Sequence, residues 1–139
     1  MDAALKMRLV QSALEARKNA YVPYSGYRVG AAVATKEGSI YSGCNIENAS
    51  YGLTNCAERT AIFKAVSQGE RDFIGLAVAV DGSRPASPCG ACRQVIREFF
   101  DDETEIFLVN ENGQGICTTI ARLLPDGFTK ENMGGYGNS

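Results

Sequence analysis

Two short stretches carry the residues capable of chemistry. In NCAERTAIFKAVSQG, Asn55 to Gly69, a thiol, a carboxylate and a guanidinium (Cys56, Glu58 and Arg59) crowd into the first turn of a segment whose Ala61, Ile62, Ala65 and Val66 recur at helical spacing. Further along, Pro88-Cys89-Gly90-Ala91-Cys92 sets two thiols three residues apart at the start of a second helical pattern, where both can face one point. Cys56, Cys89 and Cys92 together offer three ligands for a zinc ion. Two helix N-termini would aim their positive ends at these thiols, which favours the ionised, metal-binding form. A C-x-x-C pair also serves redox dithiols and closed structural zinc sites. The redox use wants a thioredoxin-like strand ahead of the pair, whereas here the Pro-rich loop SRPASP leads in. A structural site needs four protein ligands. A fourth could come from Cys44 or Cys117, but neither sits in a chelating pair, and both read as buried free cysteines.

Three ligands leave the fourth position of a tetrahedral zinc open, which is the arrangement of a catalytic site. An open zinc binds water and lowers its pKa toward neutrality, but three thiolates bring the site to a net charge of about −1 and oppose this. Arg59 can return positive charge by hydrogen-bonding to the thiolates. Glu58 has two readings: it completes a capping box with Asn55, or it moves protons for a water on the metal. The chain contains no histidine, so every Ser-His, Cys-His or His-ligated scheme within one chain is excluded and the carboxylate is left to do the proton work.

The elements that must position these groups follow from periodicity. Leu5, Leu9, Val10 and Leu14 share a face of a helix over Ala3 to Arg17. Pro23 and Gly26 break the pattern in YVPYSGY; RVGAAVAT and SIYSG then read as two strands joined by a turn at Lys36-Glu37-Gly38. CNIENASYGLTN is a polar loop of the length that usually serves function. FIGLAVAV, Phe73 to Val80, is continuously apolar, as a strand covered on both faces should be. After the second thiol helix, Glu105 to Val109 and GICTTI read as strands, Thr119 to Leu124 as a short helix, and the glycine-rich stretch 130–139 as a frayed, flexible tail. The expected architecture is α/β, a mixed sheet of about five strands covered by helices, in a single domain spanning residues 1–139.

Composition narrows the partners. With 45% hydrophobic residues the chain can bury one core. The net charge is −2 and the basic residues are scattered, which argues against a nucleic-acid stripe. The N-terminus has the charges of an amphipathic helix in place of the apolar core of a secretory signal, and no run is long enough to span a membrane; the expectation is a soluble cytoplasmic protein without membrane partners. An odd count of five cysteines points to metal binding or reactive thiols over a disulfide framework.

C-A-E followed by P-C-x-x-C resembles the zinc nucleoside and nucleobase deaminases. With PYSGYRVGAA, GCNIENASY, NCAERTAIFKAVSQG and SPCGACRQVIREF, the chain from Tyr21 to Phe128 is similar to the small, homotetrameric, three-cysteine cytidine deaminases. The resemblance implies a three-layer α/β/α fold, zinc held by Cys56, Cys89 and Cys92, and Glu58 as general acid and base. It implies hydrolytic deamination of cytidine and 2′-deoxycytidine to uridine and 2′-deoxyuridine with release of ammonia, in pyrimidine salvage. Arg59 matches the arginine that tempers thiolate charge. Asn45 and Glu47 match a pair that hydrogen-bonds the ribose hydroxyl, the ring lies against an aromatic at Tyr27, and the backbone around Ala57 meets the pyrimidine carbonyl. Phe128 matches an aromatic delivered from a neighbouring subunit, and Tyr51 lies in a segment that contributes across the subunit boundary.

Two departures stand out. Tyr27 replaces a common phenylalanine, so its hydroxyl must find a partner or solvent, and the glycine-rich tail matches nothing in the family pattern. Three other functions are compatible with parts of the sequence. A deaminase of another aminopyrimidine nucleoside, such as blasticidin S, shares the zinc motif, but the ribose-binding pair favours the plain nucleoside. A polynucleotide-editing deaminase lacks support from the charge distribution. A zinc-stabilised interaction module would need Cys44 or Cys117 to close the metal's coordination.

Overall fold

The computed structural model describes residues 1–137. Its centre is β3 (Phe73–Val80), the continuously apolar FIGLAVAV, which is buried along nearly its whole length. β3 pairs antiparallel with β1 (Val29–Thr35) and parallel with β4 (Glu105–Val109). The antiparallel edge strands β2 (Ile40–Cys44) and β5 (Gly115–Thr119) complete a mixed sheet in the order β2-β1-β3-β4-β5.

Successive side chains of a strand point to opposite faces, and here the two faces differ in size. Ala32, Ala34, Ala77 and Ala79 turn toward α1 (Ala3–Arg17), where they meet Leu9 and Ala13. Val33, Leu76, Val78, Ile106 and Leu108 fill the other face, against Ile62 of α2 (Ala57–Ser67), Ile96 of α3 (Gly90–Phe99) and Ile120 of the short α4 (Ile120–Leu123). The result is the expected three-layer α/β/α arrangement, with both thiol-bearing helices on one face. Two strand glycines let the helices sit close. A Cβ on Gly30 would fall 2.0 Å from the Ala13 carbonyl oxygen of α1, and one on Gly43 would fall 2.7 Å from the Ala61 nitrogen of α2. Any larger residue would lift a helix off the sheet.

The expected elements hold at α1, β3 and β4, while β1 gives up Arg28 and β2 shifts by one residue toward Cys44. The long polar loop holds one 3₁₀ turn, Tyr51–Leu53, and is tied down by bridges from Ile46 to Tyr21 and Asn55. The glycine-rich stretch departs from the expected irregular tail: Lys130–Gly137 is helical and is introduced here as α5, with Asn138 and Ser139 outside the described residues. Its start is capped reciprocally. Asn132 Oδ1 accepts the Thr129 backbone N–H at 2.8 Å, while the Asn132 N–H donates to the Thr129 carbonyl. Among the described residues no helix is long and apolar enough to cross a membrane.

One ionic cluster locks the layers together where β3 ends. Asp81 Oδ1 accepts from Arg17 Nη1 of α1 at 2.8 Å, and its Oδ2 accepts from the Arg28 backbone N–H and Nε at 2.9 and 3.1 Å. Burial works to raise the Asp81 pKa, but the Arg28 hydrogen bonds and the charges of Arg28 and Arg17 outweigh it and hold the carboxyl below its ordinary value. A folded pKa below the unfolded one means that this stability is complete above about pH 4 and is lost as pH falls through the folded value. Asp81→Asn should therefore cost roughly 2–3 kcal/mol in urea unfolding at neutral pH, because Arg17 is left buried without its main partner. The gap between variant and parent should narrow below about pH 4, where the parent's own Asp81 becomes protonated.

Candidate active site

The two thiol helices begin in an unusual way. Their N-cap residues are Cys56 for α2 and Cys89 for α3, and neither side chain makes a capping hydrogen bond to its helix. The first backbone N–H groups of both helices are thus left facing outward from the helix ends, which favours negative charge there. The Asn55–Glu58 capping box is absent: Asn55 Nδ2 donates instead to Thr60 Oγ1 at 3.0 Å, and the helix starts one residue later.

Cys56, Cys89 and Cys92 bring their sulfurs within 4.8 Å of one another. Cys56 Sγ lies 3.8 Å from Cys89 Sγ, and Cys89 Sγ lies 3.4 Å from Cys92 Sγ. A tetrahedral zinc with bonds of about 2.3 Å needs sulfurs about 3.8 Å apart, so the donor set and its spacing fit the ion. The proton inventory fits as well. The hydrogen bond from Cys92, against the cost of burial and helped by Arg59 and Cys89, lowers the Cys56 pKa to about 5. The same bond, together with burial, pushes Cys92 well above its ordinary value. The two thiols are thus pushed in opposite directions, and a bound dication would favour ionisation of both. Arg59 Nη2 donates to Cys56 Sγ at 3.3 Å.

Glu58 occupies the turn between these groups and is 5% exposed. Burial, reinforced by the neighbouring Cys56 charge, raises its pKa to about 7. Among the described residues no other side chain donates to its carboxyl. It lines a cavity of about 180 Å³ with Tyr27, Asn45, Cys56, Ala57 and Cys89. Val29, Val78, Val80 and Ala86 give that cavity apolar walls, while Thr54 and Ser87 add polar ones. None of these six was singled out from sequence. Val78 and Val80 carry the one available signal, being alternate residues at the end of the central apolar run. A wider groove of about 1010 Å³, lined by residues such as Arg71, Arg97 and Asp102, shares no residue with the thiol site, and its Arg97 is already paired with Asp102 at 2.6 Å.

The remaining expected residues divide. Asn45 lines the cavity, yet both ends of its amide hold backbone: Oδ1 accepts the Val29 N–H and Nδ2 donates to the Tyr27 carbonyl, each at 2.9 Å. Each end keeps capacity for one further bond. Glu47 is absent from the lining and accepts from the Tyr24 and Ser25 N–H groups and the Ser25 hydroxyl. The Ser25 hydroxyl, with these N–H groups, overcomes burial and holds the Glu47 carboxyl below its ordinary pKa. Tyr51 and Phe128 stand 78% and 55% exposed, outside the cavity of their own chain. Gln94 Nε2 fixes the Phe128 carbonyl at 2.8 Å.

Cys44 and Cys117 do not join the sulfur cluster. The expectation that both are buried is corrected: Cys44 is half-buried and Cys117 is exposed, because β5 is an edge strand with its first three residues facing solvent. Metal analysis of serine variants should therefore find Cys44→Ser and Cys117→Ser still loaded with about one zinc per chain, whereas Cys56→Ser, Cys89→Ser and Cys92→Ser each lose most of it.

Comparison with known proteins agrees with this geometry. Residues 4–108 match the family model described as the cytidine and deoxycytidylate deaminase zinc-binding region. A cytidine deaminase of Halalkalibacterium halodurans is 53% identical over 128 residues, 92% of this chain and 97% of that protein. The crystal structure of a cytidine deaminase from Burkholderia pseudomallei superposes with a TM-score of 0.85 at 46% identity, covering 92% of this chain and all (100%) of that one. A blasticidin-S deaminase of Bacillus cereus is more distant, 39% identical over 112 residues, 75% of this chain and 79% of that protein. Motif, fold and sequence thus lead to one assignment, and the chain belongs to the cytidine and deoxycytidylate deaminase family.

Proposed function

We propose that this chain, acting as one domain, hydrolyses cytidine and 2′-deoxycytidine to uridine and 2′-deoxyuridine with release of ammonia. The observation that carries the reading is a buried carboxyl, Glu58, beside three converging thiols at the wall of a small, largely apolar cavity. Zinc held by Cys56, Cys89 and Cys92 supplies a Lewis acid that makes water nucleophilic near neutral pH. Glu58 takes the proton of the attacking water as its oxygen bonds to C4, and delivers that proton to N3 of the ring. It then carries the second water proton to the 4-amino nitrogen, so that the C4–N bond breaks and ammonia leaves. Arg59 offsets thiolate charge, which would otherwise oppose loss of a proton from the water. The outward N–H groups at the start of α2, around Ala57, face a pyrimidine carbonyl. Tyr27 and Val29 bound one side of the ring, and Asn45 on the cavity wall, with Glu47 just outside the lining, supplies polar groups for a ribose hydroxyl.

The same reading makes the protein a homotetramer, because exposed Phe128 and Tyr51 then complete sites on neighbouring copies. It assigns the enzyme to pyrimidine salvage in the cytoplasm, acting on free nucleosides. The acidic charge balance supports the absence of a nucleic-acid partner. The 53% identity to the Halalkalibacterium halodurans cytidine deaminase, against 39% to the blasticidin-S enzyme, favours the plain nucleoside as substrate.

An ultraviolet time course with cytidine tests the activity: the spectrum should convert to that of uridine, and no conversion by folded, zinc-loaded protein would refute the assignment. Glu58→Gln should retain zinc while losing roughly 10²–10⁴-fold in kcat; near-parental turnover would remove Glu58 from its role. Size-exclusion chromatography should show a tetramer, and a fully active monomer would contradict the shared-site arrangement.

A further inference from the structure

We propose that Ser25 is a positioning residue of the deamination site, joining the Glu47 carboxylate to the backbone of Tyr27 and so fixing the cavity wall against which the substrate ring lies. This rests on the deaminase reading and adds to it a residue outside the cavity. The Ser25 hydroxyl makes two bonds of opposite sense: it donates to Glu47 Oε2 and accepts the Tyr27 backbone N–H at 3.0 Å. Glu47 Oε1 meanwhile accepts the Ser25 and Tyr24 N–H groups at 3.1 and 3.0 Å, and Asn45 holds the far side of Tyr27 through its carbonyl and the Val29 N–H. The segment from Tyr24 to Val29 is thereby fastened to the segment from Asn45 to Glu47 by side-chain hydrogen bonds at both ends. The Gly26 φ of +68° makes the sharp turn between them.

Packing does not do this work. Tyr24 and Tyr27 are 53% and 41% exposed, and none of the residues from Tyr24 to Arg28 is buried. Yet Tyr27 and Val29 form part of the cavity surface. An apolar wall carried on an exposed turn has to be held by directional bonds, and Ser25 is where the bonds from Glu47 and Tyr27 meet. The catalytic groups sit elsewhere, on the first turns of α2 and α3, which Ser25 does not touch. Its loss should therefore weaken substrate binding more than the chemical step.

The test is steady-state kinetics on the zinc-loaded enzyme with cytidine, together with competitive inhibition by the product uridine. Ser25→Ala should raise KM and the uridine inhibition constant together by roughly five- to twentyfold, with kcat within about twofold. Ser25→Thr, which retains the hydroxyl, should recover most of the loss. Unchanged KM and inhibition constant in Ser25→Ala would overturn the proposal, as would a fall in kcat alone or a threonine variant as impaired as the alanine one. Should Ser25→Ala not fold, Ser25→Cys, of similar size but with a weaker donor and acceptor, carries the same test, and a parental KM there overturns the proposal. Parent enzyme that fails to convert cytidine would bring down the deaminase reading and this inference with it. Conversion by the parent with unaltered Ser25 variants would bring down this inference alone.

Discussion

Three sulfurs carried by two helices have to meet at one point, and much of the architecture follows from that requirement. Cys56 begins α2 and Cys89 begins α3, so both helices must lie on the same face of the sheet with their N-terminal ends together. The face that receives them is lined by valine, leucine and isoleucine; the opposite, alanine-rich face takes α1. Gly43 lets α2 settle against β2, which sets the height of Cys56 above the strand ends. A helix raised by one methyl group would separate the sulfurs by more than a metal bond tolerates.

Convergence of the thiols also sets the local charge. Helix starts without side-chain caps leave their N–H groups available, and the Arg59 guanidinium touches Cys56, so negative charge is supported on one sulfur even before metal arrives. Glu58 lies only two residues along but in a different environment. Its carboxyl is nearly buried, no other side chain among the described residues donates to it, and burial pushes it toward neutrality. Two acidic groups on one turn are thus driven in opposite directions, Cys56 toward the anion and Glu58 toward the acid. That separation is what a site needs if one group is to hold a cation and the other is to exchange protons.

The rest of the cavity is built by different means. Val78 and Val80 are core residues whose positions the sheet dictates, whereas Tyr27 belongs to an exposed turn held by Ser25, Asn45 and Glu47. Polar side chains that resemble substrate ligands in a sequence are here also fasteners of the wall. The Asn45 amide serves backbone with both ends while each end keeps capacity for a further bond. Phe128 and Tyr51 are the complementary case, large aromatic rings left in solvent.

The chemistry was legible in the residues themselves. Cys56, Cys89, Cys92 and Glu58 were found because a metal centre needs particular atom types, the absence of histidine removed the alternatives, and the first turn of a helix places near neighbours in sequence close in space. Helix α1 and strand β3 were legible for a similar reason, since their apolar periods are local. Tertiary structure decided what depends on distant chain segments meeting. Asn55 was drawn away from its capping role by Thr60, and Cys117 was exposed because β5 lies at an edge. The stretch from Lys130 is helical, its first turn capped by the reciprocal bonds of Thr129 and Asn132, where its glycine content gave no helical signal. Ser25, Val78 and Val80 acquired their places at the cavity only when the turn, the loop and the central strand came together, because a wall is a property of several segments and no single one encodes it.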